Sequence, residues 1–177
     1  MKRVEDPYSY FRHMDPRSVH KRLLTSYTEL LLGSGSPRRR QLLEGIGWPI
    51  QVLRKDVPEV PPGHLQGAEV ALHLAEFKAM AFDEALAAGQ LLLTADTIVW
   101  QDGHVLGKPV DRADAVRILD RLQGNRHQVF TGVCLSLLGK RYCFSVETTV
   151  TFRPLSSSEI ETYIDEYQPY DKAGAYG

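Results

Sequence analysis

The stretch Leu91-Leu92-Leu93-Thr94-Ala95-Asp96-Thr97-Ile98-Val99-Trp100 constrains the fold of this chain more than any other. A nearly continuous apolar run of this length reads as a β-strand buried on both faces, since a half-exposed strand would alternate polar and apolar positions. Such a strand needs layers packed above and below it, so the chain must build a sheet covered by helices. Asp96 stands in the middle of the run. Burying a carboxylate is costly unless it is paired or holds a metal. A functional acid is therefore the favoured reading, with a structural carboxylate bonded to nearby backbone as the alternative.

The flanking segments supply the other layers. Positions Val70, Leu74, Phe77 and Ala81 are spaced by four, three and four, which predicts a helix within 67–86 that Gly89 brings to a close. Lys78 lies beside that stripe and reads, on its own, as a surface lysine laying its stem along apolar neighbours. Trp48 to Val52 reads as a strand. Asp102-Gly103 is a two-residue hairpin turn between Trp100 and Val105. Asp111 caps a helix with the stripe Ala115, Ile118, Leu119 and Leu122, closed by Gly124. Gln128–Leu138 and Arg141–Phe152 form a long hairpin, with Val129, Thr131, Val133, Leu135 and Leu137 on one face and Val146, Thr148, Val150 and Phe152 alternating on its partner. Ser156 and Glu159 make a capping box before a last helix whose face is Ile160, Tyr163, Ile164 and Tyr167. Helices alternate with strands except at the hairpin, so the expected class is α/β with a mixed central sheet flanked by helices.

Before the first strand, residues 1–28 read as an N-terminal extension, part-helical and loosely docked, and residues 29–177 as one domain. The chain has 177 residues and a formal net charge of −1. That balance argues against a nucleic-acid footprint or a membrane-surface protein. No apolar stretch approaches a membrane span and no secretory leader is evident, so the expected compartment is the cytoplasm. The two cysteines, Cys134 and Cys143, fall on neighbouring strands and could pair. Reduced core thiols are the expectation for a cytosolic chain.

The second chemical signal is Leu31-Leu32-Gly33-Ser34-Gly35-Ser36-Pro37-Arg38-Arg39-Arg40-Gln41-Leu42-Leu43: a strand, a Gly/Ser turn, and a helix with Ser36 as N-cap and Pro37 at its first position. Leu42, Leu43 and Ile46 would give that helix its apolar face. Arginines in a first helical turn oppose the helix dipole. They make sense beneath an anion held by backbone N–H groups, hydroxyls and guanidinium forks; a solvated basic turn is the plainer alternative. Glu59, in a proline-rich loop, is a candidate metal ligand, and Lys108 is held between a glycine and a proline. No Walker loop, dinucleotide fingerprint or nucleophile elbow is present. The residues alone thus reach a phosphate-binding hydrolase using metal and carboxylate.

Ser34-Gly35-Ser36-Pro37-Arg38-Arg39, Ala95-Asp96-Thr97-Ile98-Val99, Gly107-Lys108-Pro109 and Asp171-Lys172-Ala173-Gly174-Ala175-Tyr176-Gly177, in that order, resemble the Maf family of nucleoside triphosphate pyrophosphatases. The Ala-Asp-Thr and Lys-Ala-Gly-Ala-Tyr-Gly segments are similar to the branch acting on dTTP and UTP, as against the 7-methylguanosine triphosphate branch. The resemblance implies a fold like that of inosine triphosphate pyrophosphatases and a homodimer. It implies Asp96 as the base that activates water, and Arg38 and Thr97 as selectors of substrate. Ser34, Arg39, Lys78, Lys108 and Lys172 would hold phosphates or order the pocket. Glu59 with Asp96 would hold a divalent cation, Mg²⁺ or Mn²⁺. The family motif needs only the first two arginines, so Arg40 drops out. The family also continues past Ala-Tyr-Gly into Ile-Gln and a closing segment, so the domain is expected to be C-terminally short. Alternatives are a non-catalytic nucleotide-binding regulator of septum formation, or a pyrophosphatase for modified or 7-methylguanosine nucleotides.

Overall fold

The computed structural model describes residues 29–45, 47, 49–83, 86–137 and 140–177. The expectations for residues 1–28, for Ile46 in the first helix, for Trp48 at the start of a strand and for Leu138 at the end of one lie outside these. In chain order the described elements are β1 (Glu29–Gly33), α1 (Pro37–Gly45), β2 (Ile50–Leu53), α2 (Ala68–Met80), β3 (Gln90–Gln101), β4 (His104–Leu106), α3 (Arg112–Leu122), β5 (Arg126–Leu137), β6 (Lys140–Thr151) and α4 (Ser157–Tyr167). Two short 3₁₀ turns, Pro169–Asp171 and Ala173–Ala175, follow.

The sheet has six strands in the order β2-β1-β3-β5-β6, with β4 paired to β3. β1 runs parallel to β2 and β3, while β5 runs antiparallel to both of its neighbours, β3 and β6, so the sheet is mixed as expected. β3 is the hub. Ile98 packs against α2 and Leu92 against Phe82 just beyond it, while Val99 turns toward α3 and α4. The α3 stripe Ala115, Ile118, Leu119 and Leu122 is buried throughout, and the Asp111 carboxylate accepts from the Asp114 N–H at 2.8 Å. Ser156 and Glu159 form the capping box of α4. Asp102 and Gly103 take φ of 49° and 79°, as the tight hairpin demands.

Three expectations need correction. The inward face of α2 is Val70, Ala71, Leu74, Ala75 and Ala79, while Phe77 is 40% exposed and stacks on His73. Small residues let this helix lie close to the sheet, and the bulky ring is left on its flank. The helix also ends at Met80, because the chain turns there to bury Phe82 against Leu31 and Leu92. Helix α1 has no buried residue, and Leu42 is 73% exposed. It sits at the rim of a cleft that Leu42 lines, away from the core. Finally, Cys134 and Cys143 are joined in a disulfide instead of standing as reduced thiols. The β5–β6 register sets them directly opposite one another, with Cα atoms 4.1 Å apart, which sequence order alone could not fix.

Among the described residues, no helix is long and apolar enough to cross a membrane.

Candidate active site

The pairing of β3 creates the site. On one edge, Leu93 is the last residue paired with β1, and Val99 is the first paired with β4. Between them, residues 94–98 have no strand partner on that side among the described pairings, leaving a notch in the sheet. Asp96 and Thr97 occupy the notch, and because strand side chains alternate they project to opposite faces. A cleft of about 1110 Å³ opens there, enough room for a molecule the size of a nucleoside triphosphate.

Above the notch, β1 ends at Gly33, where a Cβ would come within 2.8 Å of Thr94 Cγ2. The turn that follows aims Ser34 back over the strand end, where its Oγ accepts from the Ser36 N–H at 3.2 Å. Arg39 donates from Nη1 to Ser34 Oγ at 3.1 Å and from Nη2 to Thr97 Oγ1 at 3.4 Å. Thr97 and Thr131 share a further hydroxyl hydrogen bond at 3.1 Å. Burial pulls the Arg39 guanidinium below its ordinary pKa, opposed by Asp96 and Glu59 and reinforced by Arg38. The three arginines of α1 thus separate: Arg39 points inward, Arg38 lines the cleft, and Arg40 pairs with Glu44 on the outer surface.

On the α2 side, Asp96 is buried and hydrogen-bonded by Lys78. The same ammonium donates to Glu59 at 2.7 Å. Lys78 therefore stands on the inner flank of the helix, held by two carboxylates, and is no surface lysine. Thr94 fixes this geometry by donating its hydroxyl to the Ala75 carbonyl at 2.8 Å, one turn of α2 before Lys78. Lys108 lies 3.6 Å from the other Glu59 oxygen. Burial works against ionising Glu59, but the Lys78 hydrogen bond and the charges of Lys78 and Lys108 outweigh it and hold its pKa below the usual value.

The far wall comes from the last residues. Lys172 donates to Asp171 at 2.6 Å, and Gly174 donates its N–H to the Gly107 carbonyl at 3.0 Å, tying this segment to the loop of Lys108. All nine residues singled out from the sequence (Ser34, Arg38, Arg39, Glu59, Lys78, Asp96, Thr97, Lys108 and Lys172) line this one cleft. Missed from the sequence were Thr131, Gly132 and the ring pair His127–Tyr176, whose Nε2 and phenol oxygen lie 2.7 Å apart. Gly132 carried a signal as an isolated glycine inside a strand pattern, and Tyr176 stood within the motif at 171–177 without a role of its own.

Two carboxylates that converge on one cation suit a hard divalent ion, which takes one or two carboxylates and completes its shell with water and phosphate oxygens. Glu59 and Asp96 already share a cation, the Lys78 ammonium, so their oxygens fit that requirement.

Fold and cleft together define a mixed α/β protein with cations on one side of a notch and carboxylates at its base, the arrangement that binds and works on a phosphorylated ligand. The profile of the Maf-like protein family matches residues 29–177. The chain belongs to that family. It is 47% identical over 152 residues to a dTTP/UTP pyrophosphatase of Bacteroides fragilis, covering 84% of this chain and 78% of the relative. It is 48% identical over 151 residues to the protein of the same name from Bacteroides thetaiotaomicron, with the same coverage. The solved structure of the Staphylococcus aureus Ham1 protein superposes with a TM-score of 0.49 and 16% identity over 68% of this chain and 70% of that one.

Proposed function

We propose that this protein hydrolyses dTTP or UTP to the nucleoside monophosphate and pyrophosphate, the activity its Bacteroides relatives are named for. The observation that carries the reading is the shared grip of Lys78 on Asp96 and Glu59, facing Arg39 across the notch. Asp96 is the general base. It takes a proton from a water molecule as that oxygen bonds to the α-phosphorus. The bond from the α-phosphorus to the bridging oxygen breaks, and pyrophosphate leaves with the added negative charge. Arg39, Lys108 and Lys172 stabilise that charge, and donors fixed in place before the reaction do so without reorganisation. Ser34 and Thr97 hold the guanidinium of Arg39 at the angle it needs. Arg38 and Thr97 contact the part of the nucleotide that distinguishes substrates. Glu59 and Asp96 would hold Mg²⁺ or Mn²⁺, which when bound neutralises phosphate charge and makes water more acidic.

The test is pyrophosphate release from a panel of nucleoside triphosphates with Mg²⁺ or Mn²⁺, with and without a chelator. dTTP and UTP should give the highest kcat/KM, and Asp96→Asn should lower kcat by about a thousandfold. Full pyrophosphate release by Asp96→Asn would remove Asp96 from the role of base. Thermal stabilisation by dTTP without turnover would mark a nucleotide-binding protein instead.

A further inference from the structure

The segment that presents Lys172 to the cleft is held in an unfavourable backbone shape. Gly174 and Ala175 take φ of 71° and 58° in succession, and Ala175 is fully buried. A left-handed alanine persists only where its surroundings over-determine it. Gly174 itself is fixed by its N–H bond to Gly107 and by contact with Val99, which leaves no room for a Cβ. Ala175 donates its N–H to the Lys172 carbonyl at 3.1 Å, and the next residue supplies a further anchor. Tyr176 packs edge-on against Phe152 and His127, with ring centroids 4.9 Å and 5.5 Å away, and its phenol shares the 2.7 Å hydrogen bond with His127 Nε2.

His127 is an unexpected residue at that point. It is 1% exposed, and its Nδ1 has no hydrogen-bond partner. A phenylalanine would fill the same space without a buried orphan nitrogen, so packing does not explain the imidazole. Its hydrogen bond to Tyr176 does. Burial lowers the pKa of His127 and raises that of Tyr176 to about 12, so both partners stay neutral.

We infer that His127 is a positioning residue for the cleft: by fixing Tyr176 it clamps the Gly174–Ala175 turn and sets the reach of Lys172 toward the phosphates. This rests on the reading in which Lys172 binds phosphate. His127 touches neither the cleft-facing lysine nor the reacting atoms, and acts only through Tyr176.

The experiment compares His127→Phe, His127→Gln, Tyr176→Phe and Lys172→Ala in the full chain, measuring kcat and KM for dTTP, inhibition by inorganic pyrophosphate, and Tm. His127→Phe and Tyr176→Phe each remove one hydrogen bond and should each raise KM and the pyrophosphate inhibition constant about fivefold, with kcat within about twofold. The two changes combined should cost no more than either alone. His127→Gln, whose side-chain amide reaches the Nε2 position, should restore most of the loss. Normal KM and inhibition in both His127→Phe and Tyr176→Phe, beside a raised KM in Lys172→Ala, would overturn the inference and leave the phosphate reading standing. A silent Lys172→Ala would overturn the phosphate reading, and the inference with it. Should His127→Phe not fold, Tyr176→Phe carries the same test with both aromatic rings kept. A fall in Tm with kcat and KM equally damaged, and no rescue by Gln, would mean that the pair is merely structural.

Discussion

Gly132 lies directly across the β3–β5 ladder from Asp96, and its missing side chain is what lets α2 bring Lys78 to that carboxylate. A Cβ built on Gly132 would fall 2.1 Å from the Ala71 carbonyl oxygen, so backbone, not a movable side chain, occupies the space. Gly132→Ala must push the helix off the sheet, at a cost of about 3 kcal/mol. In a chain of this length that should lower Tm by about 10 °C. Activity should fall further than stability accounts for, because Lys78 moves with the helix. Thermal melts beside steady-state kinetics at a temperature where both proteins are folded will check this, and unchanged kcat in the folded variant would contradict it.

Lys78 holds two carboxylates in one grip, and its removal exposes what it does for them. In Lys78→Met, Glu59 loses the strongest influences holding its pKa down, while the burial that pushes it up remains. The charge of Asp96, no longer offset by the ammonium the two shared, makes Glu59 harder still to ionise. A carboxylate with a raised pKa needs a higher pH to be charged. The acid limb of the rate profile should therefore move to higher pH, with a maximal rate lower by about a hundredfold. A profile of kcat/KM against pH for the two proteins tests the direction. An acid limb at the same pH would show that Lys78 does not control Glu59.

Much of this arrangement was legible in the sequence, and the boundary is physical. β3, α3 and α4 could be read because local signals agree there: continuous apolar residues, an Asp111 cap, and a Ser156–Glu159 box. The cationic helix start showed which residues could bind an anion. It did not show that Arg39 alone would turn inward, since that depends on Ser34 and on Thr97 from a distant strand. Spacing alone leaves Lys78 a surface lysine for a related reason, and only the family resemblance raises it to a site residue. Its periodicity places it beside an apolar stripe, but only the approach of α2 over Gly132 turns that flank toward Asp96. The Cys134–Cys143 link and the His127–Tyr176 pair are likewise contacts between segments, which no local pattern encodes.

The disulfide offers a prediction of its own. It joins cysteines nine positions apart, and closing a loop that short removes enough unfolded-state entropy for about 2–3 kcal/mol. Reduction with dithiothreitol should lower Tm by about 5–10 °C. Cys143→Ser should give the same Tm with or without reductant. Cys134 packs against Ala75 and Ala79, on either side of Lys78 in sequence, so KM is worth recording in the same samples. Equal melting of the wild type with and without reductant would show that the bond contributes nothing.

Glu159 should leave a pH signature on stability far from the cleft. Its pKa is pushed down to about 2, first by the Arg153 hydrogen bond and then by the backbone and hydroxyl of Ser156. The Arg153 contact is 2.6 Å and the Ser156 N–H contact 2.8 Å. A carboxylate with a depressed folded-state pKa stabilises the fold at pH values above its unfolded pKa, here near its ordinary 4.5. That contribution drains away as pH falls from there through about 2. Glu159→Gln keeps the length of the side chain but cannot ionise. Its Tm should trail that of the wild type by a constant margin from neutral pH down to about 5, and the margin should shrink steadily below that. Melting curves of both proteins across this range decide it. A margin unchanged at the acid end would mean that the carboxylate charge contributes nothing and that the capping box works through its neutral hydrogen bonds alone.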